Sequence, residues 1–251
     1  NRAHNADQAE AAIETVGAVF DSFSIDLIFG LPEQPFEYWG ANLEKGVRLG
    51  VPHFSTYSLT IEEKTPLANQ VSRGVVEPAT DETMRERFLF TMEYLVEHGY
   101  DHYEVCSFAK LGRRSLHNQA YWHHENYLGF GPSAHSFWRT TRSKARRWSN
   151  VRSIRQYNAS LGTLVMPVDT DEQLGAESLA DEYAFLGLRL MEDGLNLDRY
   201  ERDYGVDLLT DKRKALAELE KNGLISVSHE AVRLTRKGAA VADAVALELV
   251  A

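Results

Sequence analysis

The feature that most limits the fold is an alternation of short apolar segments with longer amphipathic ones in the first half of the chain. Residues 24–29, 53–60 and 103–108 have the composition of strands. Helical periodicity lies between them, over residues 36–49 and from 81 to about 97. Strands separated by helices predict parallel βα units, in an open sheet or a barrel. Ligand-binding residues are then expected at the carboxyl ends of the strands.

The composition changes after about residue 174, which predicts a main domain over residues 1–173 and a smaller domain over 174–251. Helices are predicted over 179–191, 197–204 and 211–221, followed by two short strands at 223–225 and 232–234 and a last helix from Gly238. This order of elements is that of a winged helix. From Ser178 onward there are 14 acidic residues and 10 basic ones. That balance disfavours DNA binding and favours a packing or lid role.

The overall composition is that of an ordinary globular protein. The chain has 251 residues, of which 43% are hydrophobic and 25% charged. No apolar run approaches the roughly 20 residues of a membrane-spanning helix, so no integral membrane segment is predicted. Cys106 is the only cysteine, which excludes an internal disulfide and fits a reducing, cytoplasmic location. We interpret it as a small apolar strand residue.

The charge is unevenly distributed along the chain. A net charge of −10 argues against general affinity for nucleic acid. Residues 126–168 nevertheless contain no acidic side chain, and they carry seven basic ones: Arg139, Arg142, Lys144, Arg146, Arg147, Arg152 and Arg155. A basic patch on an acidic protein suits a ligand that bears carboxylates or phosphates, and a solvated basic hairpin is the alternative.

Residues 117–137 hold the densest group of chemically versatile side chains. HNQAYW at 117–122 and YLGFGPSAHS at 127–136 bring imidazoles, large aromatic rings and a glycine-rich turn into about twenty residues. This mixture suggests a site for a flat or anionic ligand.

Six motifs in order along the chain resemble one family. They are IDLIFGLP at 25–32, TYSLTIE at 56–62, YEV with SFA at 103–109, HNQAYW, YLGFGPSAHS, and LTRKG at 234–238. Together they resemble the oxygen-independent coproporphyrinogen III oxidase group of radical S-adenosylmethionine (SAM) proteins, and HNQAYW is similar to the signature of the heme chaperones in that group. The resemblance implies an α/β fold, the C-terminal part of a partial (βα) radical-SAM barrel with parallel strands, followed by a small winged-helix-like α+β domain. It implies that the chain is the C-terminal two-thirds of such a protein.

The resemblance implies a SAM site and a [4Fe-4S] cluster in the full-length protein. Arg2, Asp26, Thr60 and His135 match positions that contact SAM. A buried salt bridge is the alternative for Asp26. The cluster of this family is held by three closely spaced cysteines, which this chain lacks. We therefore expect the chain by itself to be inactive in radical chemistry.

His117 is the candidate for heme binding, because an imidazole is a standard axial ligand of heme iron. Tyr121 and Trp122 would pack against the macrocycle. The alternative is a structural motif, in which His117 and Asn118 hold a loop by hydrogen bonds and Trp122 fills core. His123 and His124 are expected at the surface or as secondary ligands.

Two functions follow from the resemblance. The first is a heme chaperone that binds heme or porphyrin and delivers heme to acceptor proteins, with a homodimer as a further expectation. The alternative is the oxidase itself, which converts propionates to vinyl groups by oxidative decarboxylation with SAM. The sequence assigns no catalytic residue, and a winged-helix regulator is disfavoured by charge.

Overall fold

The fold is given by a computed structural model that describes residues 4–250, so Arg2 of the predicted SAM site lies outside the described residues. The chain divides into two compact units, Asn1–Ser115 and Leu116–Ala251. The first unit contains helices Ala6–Gly17 (α1), Phe36–Arg48 (α2), Pro66–Ser72 (α3) and Asp81–Glu97 (α4), and strands Ser24–Phe29 (β1), His53–Ser58 (β2), Asp101–Glu104 (β3) and Ser107–Ala109 (β4).

The second unit begins with the helix that carries HNQAYW, Leu116–Trp122 (α5). Strands His135–Thr141 (β5), Lys144–Asn150 (β6) and Val168–Leu174 (β7) follow, with helix Ile154–Gly162 (α6) between the last two. The remaining elements are Ala176–Gly187 (α7), Leu195–Asn196 (β8), Leu197–Tyr204 (α8), Leu208–Asp211 (α9), Arg213–Lys221 (α10), Ile225–Val227 (β9), Ala231–Leu234 (β10), Arg236–Ala239 (α11) and Ala242–Val250 (α12).

The sheet of the first unit has the order β1-β2-β4-β3, and only β1 and β2 pair in parallel. The third predicted strand, residues 103–108, is in fact a hairpin, and β4 runs antiparallel to both β2 and β3. The chain turns because Glu104 Oε2 accepts a hydrogen bond from the Cys106 amide at 3.1 Å. A carboxylate that satisfies a main-chain N–H in this way favours a turn over a continued strand. A barrel of parallel strands is not evident in the described sheets.

Helices α2 and α4 cover the apolar face of this sheet. Trp39 of α2 is fully buried, and its indole donates a hydrogen bond of 2.9 Å to Thr91 of α4. Gly46 lets α2 approach closely, because a Cβ there would lie 2.5 Å from the ring of Phe54. The sheet and the two helices therefore share one core, which explains the helical stripe in the sequence.

The opposite face of the sheet is polar. Ser24 and Asp26 of β1 stand beside His53 and Ser55 of β2 in the parallel register. Ser24 Oγ lies 2.9 Å from His53 Nδ1, and His53 Nε2 lies 2.7 Å from the hydroxyl of Tyr103. Burial lowers the pKa of His53, and the charge of Asp26 opposes that shift. Asp26 thus lies on a polar face of the sheet.

The second unit contains two antiparallel sheets. The β5-β6-β7 sheet was not predicted, and it packs its inner face around Phe137, Ala145, Leu174 and Leu179. The helices and the two wing strands after α7 lie close to their predicted positions, and β8 adds a third strand to the wing, in the order β8-β10-β9. None of the helices within residues 4–250 has the length and apolar character needed to cross a bilayer.

The core of the first unit should be sensitive to the volume of Leu43, which is fully buried on α2. We expect Leu43→Ala to lower the free energy of unfolding by about 2–5 kcal/mol, because it removes buried methyl groups and leaves a cavity. Urea denaturation measures this. Leu111→Ala is the control, since Leu111 is 99% exposed. Equal stabilities of the two variants would contradict the assignment of Leu43 to the core.

Candidate functional site

The HNQAYW segment forms α5 and presents His117 at the surface. The imidazole of His117 is exposed, and its nitrogens make no hydrogen bond within the described residues. Its ring meets the ring of Tyr121 edge to face, with 4.9 Å between centroids. Tyr121 in turn contacts Tyr127 at 4.6 Å. The predicted alternative is a loop held by His117 and Asn118; of these two, His117 makes no hydrogen bond within residues 4–250, whereas Asn118 does have a partner.

Trp122 has different neighbours. The guanidinium of Arg189 lies over its ring at 4.7 Å, and Arg189 also donates to Asp243 at 3.0 Å. The indole nitrogen of Trp122 is buried and has no hydrogen-bond partner among residues 4–250. The structure therefore brings His117 and Tyr121 into contact and packs Trp122 against Arg189.

His124 is a buried residue, and the expectation that it lies at the surface is wrong. Only 5% of it is exposed, and its ring stacks on Phe137 at 4.5 Å. Arg139 donates to Nδ1 at 3.0 Å, and Nε2 lies 3.1 Å from Glu182 Oε2. Because an arginine can only donate, Nδ1 accepts, and the ring proton resides on Nε2 facing Glu182. Sequence reasoning missed this contact because Glu182 is distant along the chain.

The charges around His124 set its protonation state. Burial is the largest cause that lowers the pKa of His124, Glu182 acts in the opposite direction, and Arg139 lowers it further. Burial also disfavours ionisation of Glu182, but the contacts with His124 and Arg147 outweigh it and lower the pKa of the carboxyl group. Arg147 donates to the same carboxylate at 2.5 Å. At neutral pH the arrangement is a neutral imidazole between a carboxylate and a guanidinium.

The YLGFGPSAHS segment forms a tightly held loop before β5. The Asn150 side chain donates to the carbonyl oxygens of Gly129 and Gly131 at 3.3 and 2.9 Å. A Cβ at position 129 would collide with the main-chain oxygen of His135. Ser133 has a φ of 60°, a conformation that non-glycine residues adopt at a cost. The loop is therefore a rigid support for Ser133 and His135.

This loop borders a cleft of about 370 Å³ at the edge of the β5-β6-β7 sheet. Its lining is polar throughout and consists of Ser133, His135, Ser149, Asn150, Arg152, Asp169 and Thr170. His135, predicted to contact SAM, therefore lines a cleft of ligand size. Arg152 belongs to the basic patch, whereas sequence reasoning did not single out Asp169. Arg152 lies between β6 and α6 and Asp169 lies on β7, and only the fold brings them to one cleft.

The remaining predicted SAM residues belong to the first unit. Asp26 is exposed on the polar face of the sheet, and no ion pair of its side chain is found within residues 4–250, so the predicted alternative of a buried salt bridge is not what the structure describes. Thr60 is exposed in the loop after β2. Both residues are accessible to a ligand.

Three of the seven basic residues of the patch, Arg142, Arg146 and Arg147, are paired with acidic residues. Arg146 makes two hydrogen bonds to Asp171, at 2.9 and 2.8 Å, and Arg142 lies 3.9 Å from Asp203. Lys144, Arg152 and Arg155 have no ion pair in the part of the chain that the structure describes. Part of the patch is thus a structural feature, and a few of its cations stay available.

The residues fit heme but do not fit the iron–sulfur cluster. An axial ligand of heme iron needs an accessible ring nitrogen, and His117 supplies one. An iron–sulfur cluster needs several thiolates, and Cys106 is the only cysteine. Within residues 4–250 no group of three His, Cys, Asp or Glu side chains is suited to a metal ion. The chain as given does not hold the cluster.

The fold and these residues define a mixed α/β protein with a candidate heme ligand and a polar ligand cleft. Residues 174–241 match the family model described as the HemN C-terminal domain. The heme chaperone HemW of Bacillus subtilis is 33% identical over 87% of this chain and 56% of its own length. HemW of Mycobacterium tuberculosis is 32% identical over 98% of this chain and 60% of its own.

One solved structure gives the same fold. It is described as "Coproporphyrinogen III oxidase (HemN) from Escherichia coli is a Radical SAM enzyme", and it superposes with a TM-score of 0.75 at 19% identity, over 99% of this chain and 59% of that one. The chain is homologous to the HemW heme chaperones over most of its own length and shares the fold of the HemN structure. It spans under two-thirds of the length of the relatives named here.

The lowered pKa of His124 predicts a dependence of stability on pH. Because the folded pKa lies below the ordinary value, the unfolded chain binds a proton more readily as pH falls. The free energy of unfolding should therefore decrease below about pH 6.5. Denaturation at pH 7.5 and 5.5 measures the slope. His124→Gln should reduce it and His229→Gln, at a site 90% exposed, should not. The same slope in all three proteins would refute the role given to His124.

Proposed function

We propose that this chain is the heme-binding and SAM-binding part of a chaperone that binds heme and delivers it to acceptor proteins. The observation that carries the proposal is the exposed His117 imidazole within HNQAYW, in a chain homologous to HemW over most of its length. A carrier must hold heme iron and also release it. An accessible imidazole on a short surface helix suits both requirements.

The neighbours of His117 support this assignment. Tyr121 contacts the imidazole edge to face and so limits the rotation of the ring. Tyr127 supports Tyr121 from the far side. These edge-to-face contacts orient the imidazole and leave both of its nitrogens available to a ligand. Trp122 would contribute through packing, since its ring is occupied by Arg189.

The proposal keeps Asp26, Thr60 and His135, together with Arg2, as the residues that contact SAM. Asp26 would accept hydrogen bonds from ribose hydroxyls, for which an exposed carboxylate on a polar sheet face is suited. The [4Fe-4S] cluster, which supplies the electron for SAM cleavage in this family, would belong to the rest of the longer protein.

The finer architecture is part of the proposal. In it, residues 1–173 complete a partial radical-SAM barrel with strands outside this chain, and residues 174–251 form a winged-helix-like domain. The match of the family model to residues 174–241 and the α7 to β10 order support the second part. A cytoplasmic location and a homodimer remain predictions.

The heme proposal predicts the result of replacing His117. We expect His117→Ala in the longer protein to weaken heme binding by roughly tenfold or more and to change the heme absorption spectrum, because the axial ligand is lost. Spectroscopic titration measures both. His229→Ala, which removes another exposed histidine of the second unit, is the control. An unchanged spectrum and affinity would remove His117 from the site.

The fold shared with coproporphyrinogen III oxidase favours a second candidate, oxidative decarboxylation of porphyrinogen propionates. The longer protein with its cluster reconstituted is incubated anaerobically with coproporphyrinogen and SAM, and the products are separated. The chaperone proposal predicts no vinyl product above the background without SAM. Decarboxylated product would overturn a purely carrier role.

A further inference from the structure

The polar cleft next to β5 contains two charged groups that the fold does not use. Arg152 and Asp169 are both exposed, and neither makes a side-chain hydrogen bond or ion pair within residues 4–250. Both line the same cleft. Nearby arginines of the patch, such as Arg146, are held by acidic partners. The guanidinium of Arg152 therefore keeps its donors for a ligand.

The neutral groups of the cleft add hydrogen-bond capacity. Ser149 and Thr170 stand opposite each other on β6 and β7, and their hydroxyl oxygens lie 2.6 Å apart. The mutual bond uses one of the two hydroxyl hydrogens, so one donor remains. Ser133 of the loop and His135 at the start of β5 also line the cleft, and His135 pairs with Ser149 in the sheet. A ligand anion would meet Arg152 and at least one neutral donor.

The charge balance restricts the class of anion. A guanidinium binds a carboxylate with two parallel hydrogen bonds. A doubly charged phosphate would meet one cation and also the carboxylate of Asp169, so its second charge would be uncompensated. A single carboxylate matches the cleft better.

We infer that this cleft is a carboxylate-binding subsite in which Arg152 provides the cation. The inference deepens the proposed function and rests on it, because the carboxylate would belong to one of its two ligands. The sources are a heme propionate and the amino-acid end of SAM. Asp169 separates them: its charge would repel a propionate and would attract the ammonium group of SAM.

The test uses the longer protein with its cluster reconstituted, and four probes: heme, heme dimethyl ester, SAM and decarboxylated SAM. If the carboxylate is a propionate, the parent protein binds the ester about tenfold or more weakly than heme. If it belongs to SAM, the decarboxylated form shows that loss instead. In either case Arg152→Ala weakens binding of the probe that has the free carboxylate and leaves binding of its counterpart unchanged. Arg152→Lys restores part of the lost affinity.

Two further variants sharpen the result. Arg155→Ala is the matched control, because Arg155 is an exposed arginine of α6 that does not line the cleft. Its affinities should equal those of the parent. Asp169→Asn should strengthen heme binding if the source is a propionate, and weaken SAM binding if the source is SAM.

Parent protein that binds both acidic probes no better than their neutral counterparts would overturn the inference without any mutation. Equal affinities of Arg152→Ala and Arg155→Ala for heme and SAM would also overturn it. Either result would leave the proposed function intact if His117→Ala still loses heme. A different result would contradict the proposed function itself, namely heme binding that is unchanged in His117→Ala.

Discussion

The carboxylate of Glu182 is the group on which the arrangement of the second unit depends. It lies on α7, 3.1 Å from His124 Nε2, and accepts a hydrogen bond of 2.5 Å from Arg147 of β6. The turn after α5, the central strand and α7 meet at this one side chain. Buried charge is costly unless it is paired, so removing either partner would leave Glu182 poorly compensated. Helix α5 has seven residues, too few to be stable alone, and this contact fixes its end.

Periodicity predicted helices α2 and α4 of the first unit well. The structure gives α4 as Asp81–Glu97, with the Thr80 side chain accepting the Thr83 amide at its start. An apolar stripe and a capping residue are local signals, which sequence reasoning detects. The hairpin at residues 101–109 was missed because its turn depends on one contact between Glu104 and the Cys106 amide. Strand-like composition does not reveal such a contact.

The candidate site was predicted in part, and the missing part is non-local. His117, Tyr121 and His135 were identified from motifs. In the structure His117 and His135 are exposed, and Tyr121 contacts the ring of His117. The burial of His124 depends on the ring of Phe137 and the carboxylate of Glu182. These groups contact His124 only after β5 and α7 have formed. The β5-β6-β7 sheet was missed for a related reason. Arg146, Arg147 and Trp148 lack the apolar alternation of a strand, and their acidic partners on β7 and α7 come later in the chain.

The sequence shows one basic patch, and its arginines differ in whether they are paired with acidic residues. Paired arginines stabilise the fold, and an unpaired arginine is available to a ligand. Arg146 and Arg147 are bound to Asp171 and Glu182, so their charges stabilise the sheet and are largely neutralised there. Arg152 follows the end of β6, beyond the last acidic partner, and lines a cleft whose other walls carry hydroxyls and an imidazole. A proposed anion site in this unit would therefore use an unpaired cation such as Arg152, because a paired guanidinium would first have to give up its carboxylate.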